Sequence, residues 1–111
     1  MDVVISPRRF DVILVNLDPT VGSEVRKTRP CLVVTPDEMN GPLRTVIVAP
    51  LTSTLRPYAM RVPIRFRRKN GMVMLDQLRA IDKSRIVRKL GVANEETARR
   101  VAATLVEMFT L

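Results

Sequence analysis

Short runs of apolar residues, separated by turn-forming residues, make up most of the chain before its last segment. Each run is rich in Val, Ile and Leu, which is typical of β-strands. The pattern predicts strands at 10–17, 31–35, 45–51, 60–64 and 71–75. Further short strands are expected at 78–81 and 86–90, on either side of a tight turn. Strands at such close spacing indicate a small barrel or sandwich.

The last segment has the periodicity of a helix. Asn94 is a suitable N-cap, and Glu95 and Glu96 suit the positive end of the helix dipole. Apolar residues follow at helical spacing, namely Ala98, Val101, Ala102, Leu105, Met108 and Phe109. We expect an amphipathic C-terminal helix packed on the barrel.

Two prolines, Pro50 and Pro63, lie inside apolar runs. Proline cannot donate a backbone hydrogen bond, so it is confined to edge strands, strand ends and bulges. The strands that contain these prolines are therefore expected to be edge strands or to end there.

Two connections are candidates for function. Residues 18–30 are turn formers and charged residues, and this segment is longer than a hairpin needs. Residues 52–59 place three hydroxyl side chains directly after a strand, followed by an arginine and a tyrosine. Long loops on a rigid barrel often carry functional residues.

The composition indicates one globular domain over residues 1–111, with 46% apolar and 27% charged residues. A domain of this size is only marginally stable, so an oligomer that covers an apolar face is plausible. Cys31 is interpreted as a buried strand residue rather than a reactive thiol, and one unpaired cysteine fits a reducing compartment. The sequence shows no signal peptide and no apolar run of about 18 residues, which predicts a cytoplasmic protein without a membrane contact.

The net charge is formally +8, and 15 of the 19 basic residues are arginine. This charge points to a polyanionic partner, because neutralising phosphates releases counterions and gives affinity. Arginine also forms bidentate contacts with phosphate. The alternative from charge alone is a basic protein with no nucleic-acid partner.

Several enzyme classes are excluded because their required groups are missing. The chain has no histidine, which excludes Ser-His-Asp and Cys-His catalysis, histidine metal sites and two-histidine ribonuclease chemistry. One cysteine excludes a cysteine-rich zinc site, and the four glycines form no phosphate-binding loop. We therefore expect no metal and no cofactor.

The remaining groups suit one reaction on RNA. Attack by a ribose 2′-hydroxyl on its own phosphodiester needs no external nucleophile, so the protein has only to align groups, stabilise charge and help move protons. An arginine and a nearby hydroxyl can hold the phosphorane oxygens, while a carboxylate takes the 2′ proton. Arginine is a poor base because its pKa above about 12 keeps it charged.

A series of short motifs resembles the signature blocks of the MazF/PemK toxins. These motifs are Asp18-Pro19-Thr20, Gly22-Ser23-Glu24, Arg29-Pro30, Pro50-Leu51-Thr52-Ser53 and Leu75-Asp76-Gln77-Leu78. The resemblance implies a five-stranded SH3-like β-barrel of the CcdB/MazF type with a C-terminal α-helix and short helices. It also implies a homodimer that cleaves single-stranded RNA to 2′,3′-cyclic phosphate and 5′-hydroxyl ends, and an antitoxin whose acidic C-terminal segment occupies the RNA groove.

The same resemblance assigns roles to individual residues. Arg29 takes the place of the catalytic arginine, Thr52 that of the catalytic threonine, and Glu24 that of an assisting acid. Glu24 has an alternative role, which is to pair with a neighbouring basic residue. The residues expected to bind RNA are Ser53, Gln77, Asp76, Lys27, Arg26 and Arg56. The basic cluster 65–69 is either an RNA-guiding or antitoxin-binding loop or a solvated turn.

Two other functions remain as alternatives. CcdB-type gyrase poisons share the barrel but act largely through a C-terminal Trp-Gly-Ile ending, whereas this chain ends Met108-Phe109-Thr110-Leu111 and has no tryptophan. A non-catalytic RNA-binding barrel would keep the basic surface without turnover. The cleavage sequence, the class of target RNA and the identity of the antitoxin cannot be derived from the residues.

Overall fold

The computed structural model describes residues 6–17 and 28–111, which form a mainly β fold with a C-terminal helix. The strands are β1 (Asp11–Asn16), β2 (Thr28–Val33), β3 (Thr45–Thr52), β4 (Arg61–Phe66), β5 (Lys69–Met74), β6 (Arg79–Asp82) and β7 (Ile86–Val92). The helices are α1 (Asp37–Asn40) and α2 (Glu95–Met108), with 3₁₀ turns at Leu75–Gln77 and Lys83–Arg85. The expected fold class is confirmed, including the two short strands at β6 and β7.

All strand pairings in the described sheet are antiparallel, in the order β4-β5-β3-β2-β1-β7, and β6 also pairs with β3. The central strand β3 changes neighbour along one of its edges. It pairs with β6 from Thr45 to Val48 and with β5 at Leu51 and Thr52. This change of partner curls the sheet into a half-barrel whose open end lies where β3 meets β5.

The two strand prolines behave differently. Pro63 lies on the edge strand β4, as expected. The expectation for Pro50 was wrong, because β3 is central and continues to Thr52. The physical reason is local: the ladder to β6 includes Val48 and the ladder to β5 begins at Leu51, so Pro50 lies between them. A residue without a backbone N–H is tolerated there.

The second strand begins earlier than the apolar run indicates. The expected range was 31–35, whereas β2 starts at Thr28, which pairs with Asn16 of β1. Arg29 pairs with Val15 in the same ladder. Arg29 is therefore a strand residue and not part of the long connection, and its backbone is held by the sheet.

The core lies on both faces of the sheet, because alternate side chains of each strand point to opposite sides. One cluster includes Val12, Leu32 and Val73, and Val101 of α2 packs into it. The other includes Ile13 and Cys31. Burial raises the pKa of the Cys31 thiol to about 12, in agreement with its interpretation as a buried strand residue.

The C-terminal helix is confirmed, together with its cap. The Asn94 side chain accepts a hydrogen bond from the backbone N–H of Thr97 at 2.8 Å. Val101 is fully buried against the sheet. Within the part of the chain that the structure describes, no helix has the length and apolar character needed to cross a membrane.

A tight turn with an unusual sequence joins β4 to β5. Phe66 pairs with Lys69, and the two residues between them, Arg67 and Arg68, have φ angles of 51° and 65°. Positive φ at both central positions defines a type I′ turn, which normally contains Asn-Gly. Two arginines therefore occupy a left-handed backbone conformation that costs ordinary residues about 1–2 kcal/mol each.

Arg68→Gly is expected to increase the free energy of unfolding by about 0.5–1 kcal/mol, because glycine adopts positive φ without a Cβ clash. Urea unfolding measures the change. Arg65→Gly is the matched control, since Arg65 lies in strand β4 where glycine destabilises. A lower stability for Arg68→Gly than for the natural chain would contradict the turn assignment.

Candidate active site

A cleft of about 530 Å³ lies at the open end of the half-barrel. Its floor is apolar and consists mainly of Leu14, Leu51, Ile64, Phe66 and Leu90. Its rim is polar and includes Thr28, Arg29, Thr52, Ser53, Arg67, Lys69, Asn70 and Arg88. The cleft thus combines surface for flat, apolar groups with a rim suited to an anion.

The strand register brings the two predicted catalytic residues together. In the β2–β3 ladder, Cys31 pairs with Pro50 and Leu32 with Ala49. The ladder ends at the Cys31–Pro50 pair, and Arg29 and Thr52 lie two residues beyond it on their strands. Both residues line the cleft. A guanidinium and a hydroxyl therefore face the same space.

The position of Thr52 depends on a glycine in the neighbouring strand. A Cβ atom at Gly71 would lie 2.6 Å from the backbone oxygen of Thr52, closer than such atoms approach. Glycine at this position lets β5 run against the end of β3, where Thr52 pairs with Met72. The Thr52 hydroxyl oxygen accepts a hydrogen bond from the backbone N–H of Thr54 at 3.2 Å. Its proton can be donated to a ligand in the cleft.

The lining of the cleft is strongly cationic. Within the described ranges 6–17 and 28–111, it includes four basic side chains, Arg29, Arg67, Lys69 and Arg88, and no Asp or Glu. Arg67 is held in place, because it donates a hydrogen bond to the backbone oxygen of Leu90 and its guanidinium lies 5.5 Å from the centroid of the Phe66 ring. Such a surface attracts a polyanion.

Some lining residues were not expected from the sequence. The cluster 65–69 had two open interpretations, and the structure places its Arg67 and Lys69 at the cleft. Arg88 was not singled out at all. Arg88 reaches the cleft because it pairs with Leu14 where β7 runs beside β1. A single sequence does not indicate which residues of these two strands pair.

The structure separates the predicted RNA-binding residues into three groups. Ser53 lines the cleft beside Thr52. Asp76 and Gln77 lie in the 3₁₀ turn after β5, and Arg56 lies on the connection after β3; these three are outside the lining of the cleft. Glu24, Arg26 and Lys27 lie outside the described residues.

Asp76 makes a two-pronged ion pair. Its carboxylate accepts hydrogen bonds from Nε and Nη2 of Arg61 at 3.0 and 3.1 Å. The Arg61 guanidinium holds the pKa of the Asp76 carboxyl below its ordinary value. Among residues 6–17 and 28–111, no group of three or more His, Cys, Asp or Glu side chains is arranged to hold a metal ion.

Comparison with known proteins identifies relatives along almost the whole chain. Residues 8–109 match a family described as the PemK-like, MazF-like toxin of type II toxin–antitoxin systems. Endoribonuclease MazF of Staphylococcus saprophyticus is 30% identical over 100 residues, which cover 85% of this chain and 83% of the relative.

Solved structures agree with the sequence match. The crystal structure of MazF from Deinococcus radiodurans superposes with a TM-score of 0.79 at 25% identity, covering 97% of this chain and 100% of the other. The MazE–MazF complex from the same organism gives 0.81 at 26% identity, with 95% and 96% covered. The structural similarity covers the strands whose residues line the cleft.

Proposed function

Because the chain belongs to the PemK-like, MazF-like family of toxins of type II toxin–antitoxin systems and is an endoribonuclease, we propose that it cleaves single-stranded RNA in the cytoplasm at the cleft that holds Arg29 and Thr52. The observation that supports this proposal most is that both residues line one cleft, whose rim is cationic. Among the described residues of the lining, no carboxylate competes with a phosphate for these cations.

The proposed reaction is an internal transphosphorylation. The 2′-oxygen of one ribose bonds to the adjacent phosphorus, the bond from phosphorus to the 5′-oxygen of the next nucleotide breaks, and the 2′ proton leaves as the 5′-oxygen gains one. The products are a 2′,3′-cyclic phosphate and a 5′-hydroxyl. Arg29 remains a cation and donates hydrogen bonds to the phosphorane oxygens, where Thr52 adds another donor.

The proton acceptor for the 2′-hydroxyl is proposed to be Glu24. A carboxylate is a better acceptor than Arg29, whose guanidinium stays protonated. Glu24 lies outside the described residues, and its assignment rests on the motif Gly22-Ser23-Glu24. No metal takes part in the proposed steps, because the cationic side chains provide the positive charge at the phosphate.

The other rim cations are proposed to bind the RNA backbone on either side of the reacting phosphate. Ser53, Arg26, Lys27, Arg56 and Gln77 are proposed to contribute further RNA contacts, and Asp76 is proposed to support RNA binding through its ion pair with Arg61. Phosphate contacts give affinity that does not depend on base sequence and that falls as salt rises.

Arg88→Ala is expected to weaken RNA binding by a similar factor for all RNA sequences. It should also reduce the steepness with which log K falls against the logarithm of salt concentration by about 0.7, which is the value for one phosphate contact on a single strand. Fluorescence anisotropy with a labelled oligonucleotide at several salt concentrations measures both effects. Arg100→Ala is the matched control, because Arg100 is an exposed arginine of α2 outside the cleft. Equal salt slopes for Arg88→Ala and the natural protein would remove Arg88 from the RNA path.

Cleavage itself is tested with a long transcript in the presence of EDTA, followed by mapping of the cut sites. We expect cuts at a limited set of sequences without added metal. Intact RNA across a diverse transcript would refute the nuclease proposal, and cutting that depends on Mg²⁺ would refute the metal-free mechanism. A non-catalytic RNA-binding barrel would bind the transcript and leave it uncut.

We propose that a protein antitoxin with an acidic segment occupies the same cleft. The relative from Deinococcus radiodurans was solved with MazE, and the cationic rim described above suits a carboxylate-rich peptide. A homodimer is proposed as the functional form, to be checked by light scattering. Co-expression with a short adjacent reading frame that has an acidic C-terminal half should give a stable complex with no RNA cleavage, and failure to bind or neutralise would count against this partner.

A further inference from the structure

Tyr58 is fixed in place on the connection between β3 and β4 although more than half of it is exposed. Its exposure is 52%. The guanidinium of Arg61 lies 4.8 Å from the centroid of its ring, and Arg56 Nη1 donates a hydrogen bond to its hydroxyl oxygen at 3.1 Å. A cation therefore covers one face of the ring and a second cation holds its tip, while the rest of the ring is open to solvent.

Arg61 is itself immobilised beneath the ring. Its side chain is only 12% exposed, and the two-pronged ion pair with Asp76 fixes the plane of its guanidinium. Asp76 thus acts at a distance on Tyr58, through the arginine between them. The order of contacts is carboxylate, guanidinium, aromatic ring.

The backbone around Tyr58 is equally constrained. The N–H of Arg61 donates to the oxygen of Tyr58 at 3.3 Å, which closes a turn whose third residue, Met60, has a φ of 64°. The oxygen of Met60 accepts a hydrogen bond from the N–H of Leu75. A non-glycine residue in the left-handed region persists only where its surroundings hold it there. The ring is therefore presented on a rigid turn.

We propose that Tyr58 is a stacking platform for one nucleobase of the RNA, and that Arg61 and Asp76 are positioning residues for it. This inference rests on the proposed function. Nucleobases stack on an aromatic side chain through their flat faces, and holding the ring still in advance lowers the entropy cost of binding.

The charges around the ring favour a nucleotide over an apolar protein surface. An apolar partner would have to cover the Arg56 guanidinium without giving it an acceptor. A nucleotide instead offers its phosphate to Arg56 and its base to the ring. Tyr58 follows Ser53 by only five residues, a span of at most about 18 Å, so the stacked base lies within a few nucleotides of the cleavage point.

The fluorescence of the protein gives a direct test, because Tyr58 is the only tyrosine and the chain has no tryptophan. The probe is an RNA oligonucleotide that carries the mapped cleavage sequence and a single 2′-deoxy nucleotide at the cut, which prevents turnover. We expect its binding to quench the tyrosine emission, after correction with free N-acetyltyrosinamide for absorbance by the RNA. A second set of RNA strands has the same length and charge, and each strand carries one abasic nucleotide at a different position near the cut. We expect one of these strands to bind without quenching the tyrosine emission, because it lacks the stacked base.

Kinetics provide the second readout. Tyr58→Leu should raise KM for RNA about tenfold with kcat unchanged, and Tyr58→Phe should restore KM, because stacking needs the ring more than the hydroxyl. Asp76→Asn should raise KM when Tyr58 is present. In the Tyr58→Leu variant it should have no further effect on KM, because Asp76 acts on the RNA only through the Tyr58 ring.

The possible failures are distinguishable. If anisotropy shows that the probe binds and the natural protein cuts the transcript, yet the emission is unchanged, the platform is refuted and the nuclease proposal stands. If Tyr58→Leu lowers kcat at constant KM, the stacking role is also refuted. If a diverse transcript stays intact, so that no cleavage sequence can be mapped, both the platform and the proposed function are refuted.

Discussion

Arg29→Ala is expected to lower kcat/KM for RNA cleavage by about 10²–10³-fold or more, the effect typical of removing one preorganised donor to a charged transition state. Arg29 is a cationic residue of the cleft lining, and its backbone is held by pairing with Val15. The side chain is exposed, so its removal should leave the fold intact. Initial rates on a short RNA containing one cut site, together with a thermal melt, measure the two effects separately.

The conservative variants sharpen this expectation. Arg29→Lys keeps the charge but loses the planar, two-pronged donor, and should recover only part of the rate. Thr52→Ala should also abolish detectable cutting, while Thr52→Ser, which keeps the hydroxyl, should retain it. Arg44→Ala is the matched control, because Arg44 is exposed and lies outside the cleft. Normal turnover by Arg29→Ala or Thr52→Ala would remove that residue from the site.

Gly71→Ala is expected to reduce cleavage by an order of magnitude or more although Gly71 has no side chain to offer the substrate. The added methyl carbon would lie 2.6 Å from the backbone oxygen of Thr52. Strand β5 or the end of β3 must then shift, and misplacing a catalytic group by about 1 Å costs about a hundredfold in rate. Rates normalised to the folded fraction, taken from circular dichroism, separate this effect from lost stability.

Gly41→Ala is the control for this substitution. Its added Cβ would lie 3.6 Å from the oxygen of Asp37, an ordinary contact, and Gly41 has a φ of −66° that alanine also adopts. We expect full activity and unchanged or slightly higher stability. Equal activity of Gly71→Ala and Gly41→Ala would show that the close approach of β5 to Thr52 does not position the threonine.

The fold could be predicted from the sequence because local patterns specify most of it. The apolar runs marked the strands, and Asn94 with the helical repeat of apolar residues marked α2. The expectation for Pro50 was wrong because a proline is tolerated in this central strand only where the neighbour of β3 changes from β6 to β5. That change of neighbour is a property of the folded sheet. The start of β2 was placed too late because pairing with β1, rather than hydrophobicity, extends the strand to Thr28.

The candidate site was predictable only in part. Arg29 and Thr52 came from the resemblance of short motifs to a family, and in the structure both line the cleft. Arg88 could not be found in this way, because it reaches the cleft through a pairing with Leu14, far away in the sequence. The contacts between Tyr58, Arg61 and Asp76 likewise depend on which strands are neighbours. The role of Glu24 stays a prediction.

A deoxy substitution at the scissile nucleotide tests whether the ribose 2′-hydroxyl is the attacking group. Two RNA oligonucleotides with the mapped cleavage sequence, one natural and one with a single 2′-deoxy ribose 5′ to the cut phosphate, are incubated with the protein in EDTA, and the products are analysed by mass spectrometry. We expect a 2′,3′-cyclic phosphate and a 5′-hydroxyl from the natural strand and no cleavage of the deoxy strand, although both strands bind. Cleavage of the deoxy strand, or a 5′-phosphate on the product, would contradict attack by the 2′-hydroxyl at the Arg29–Thr52 cleft.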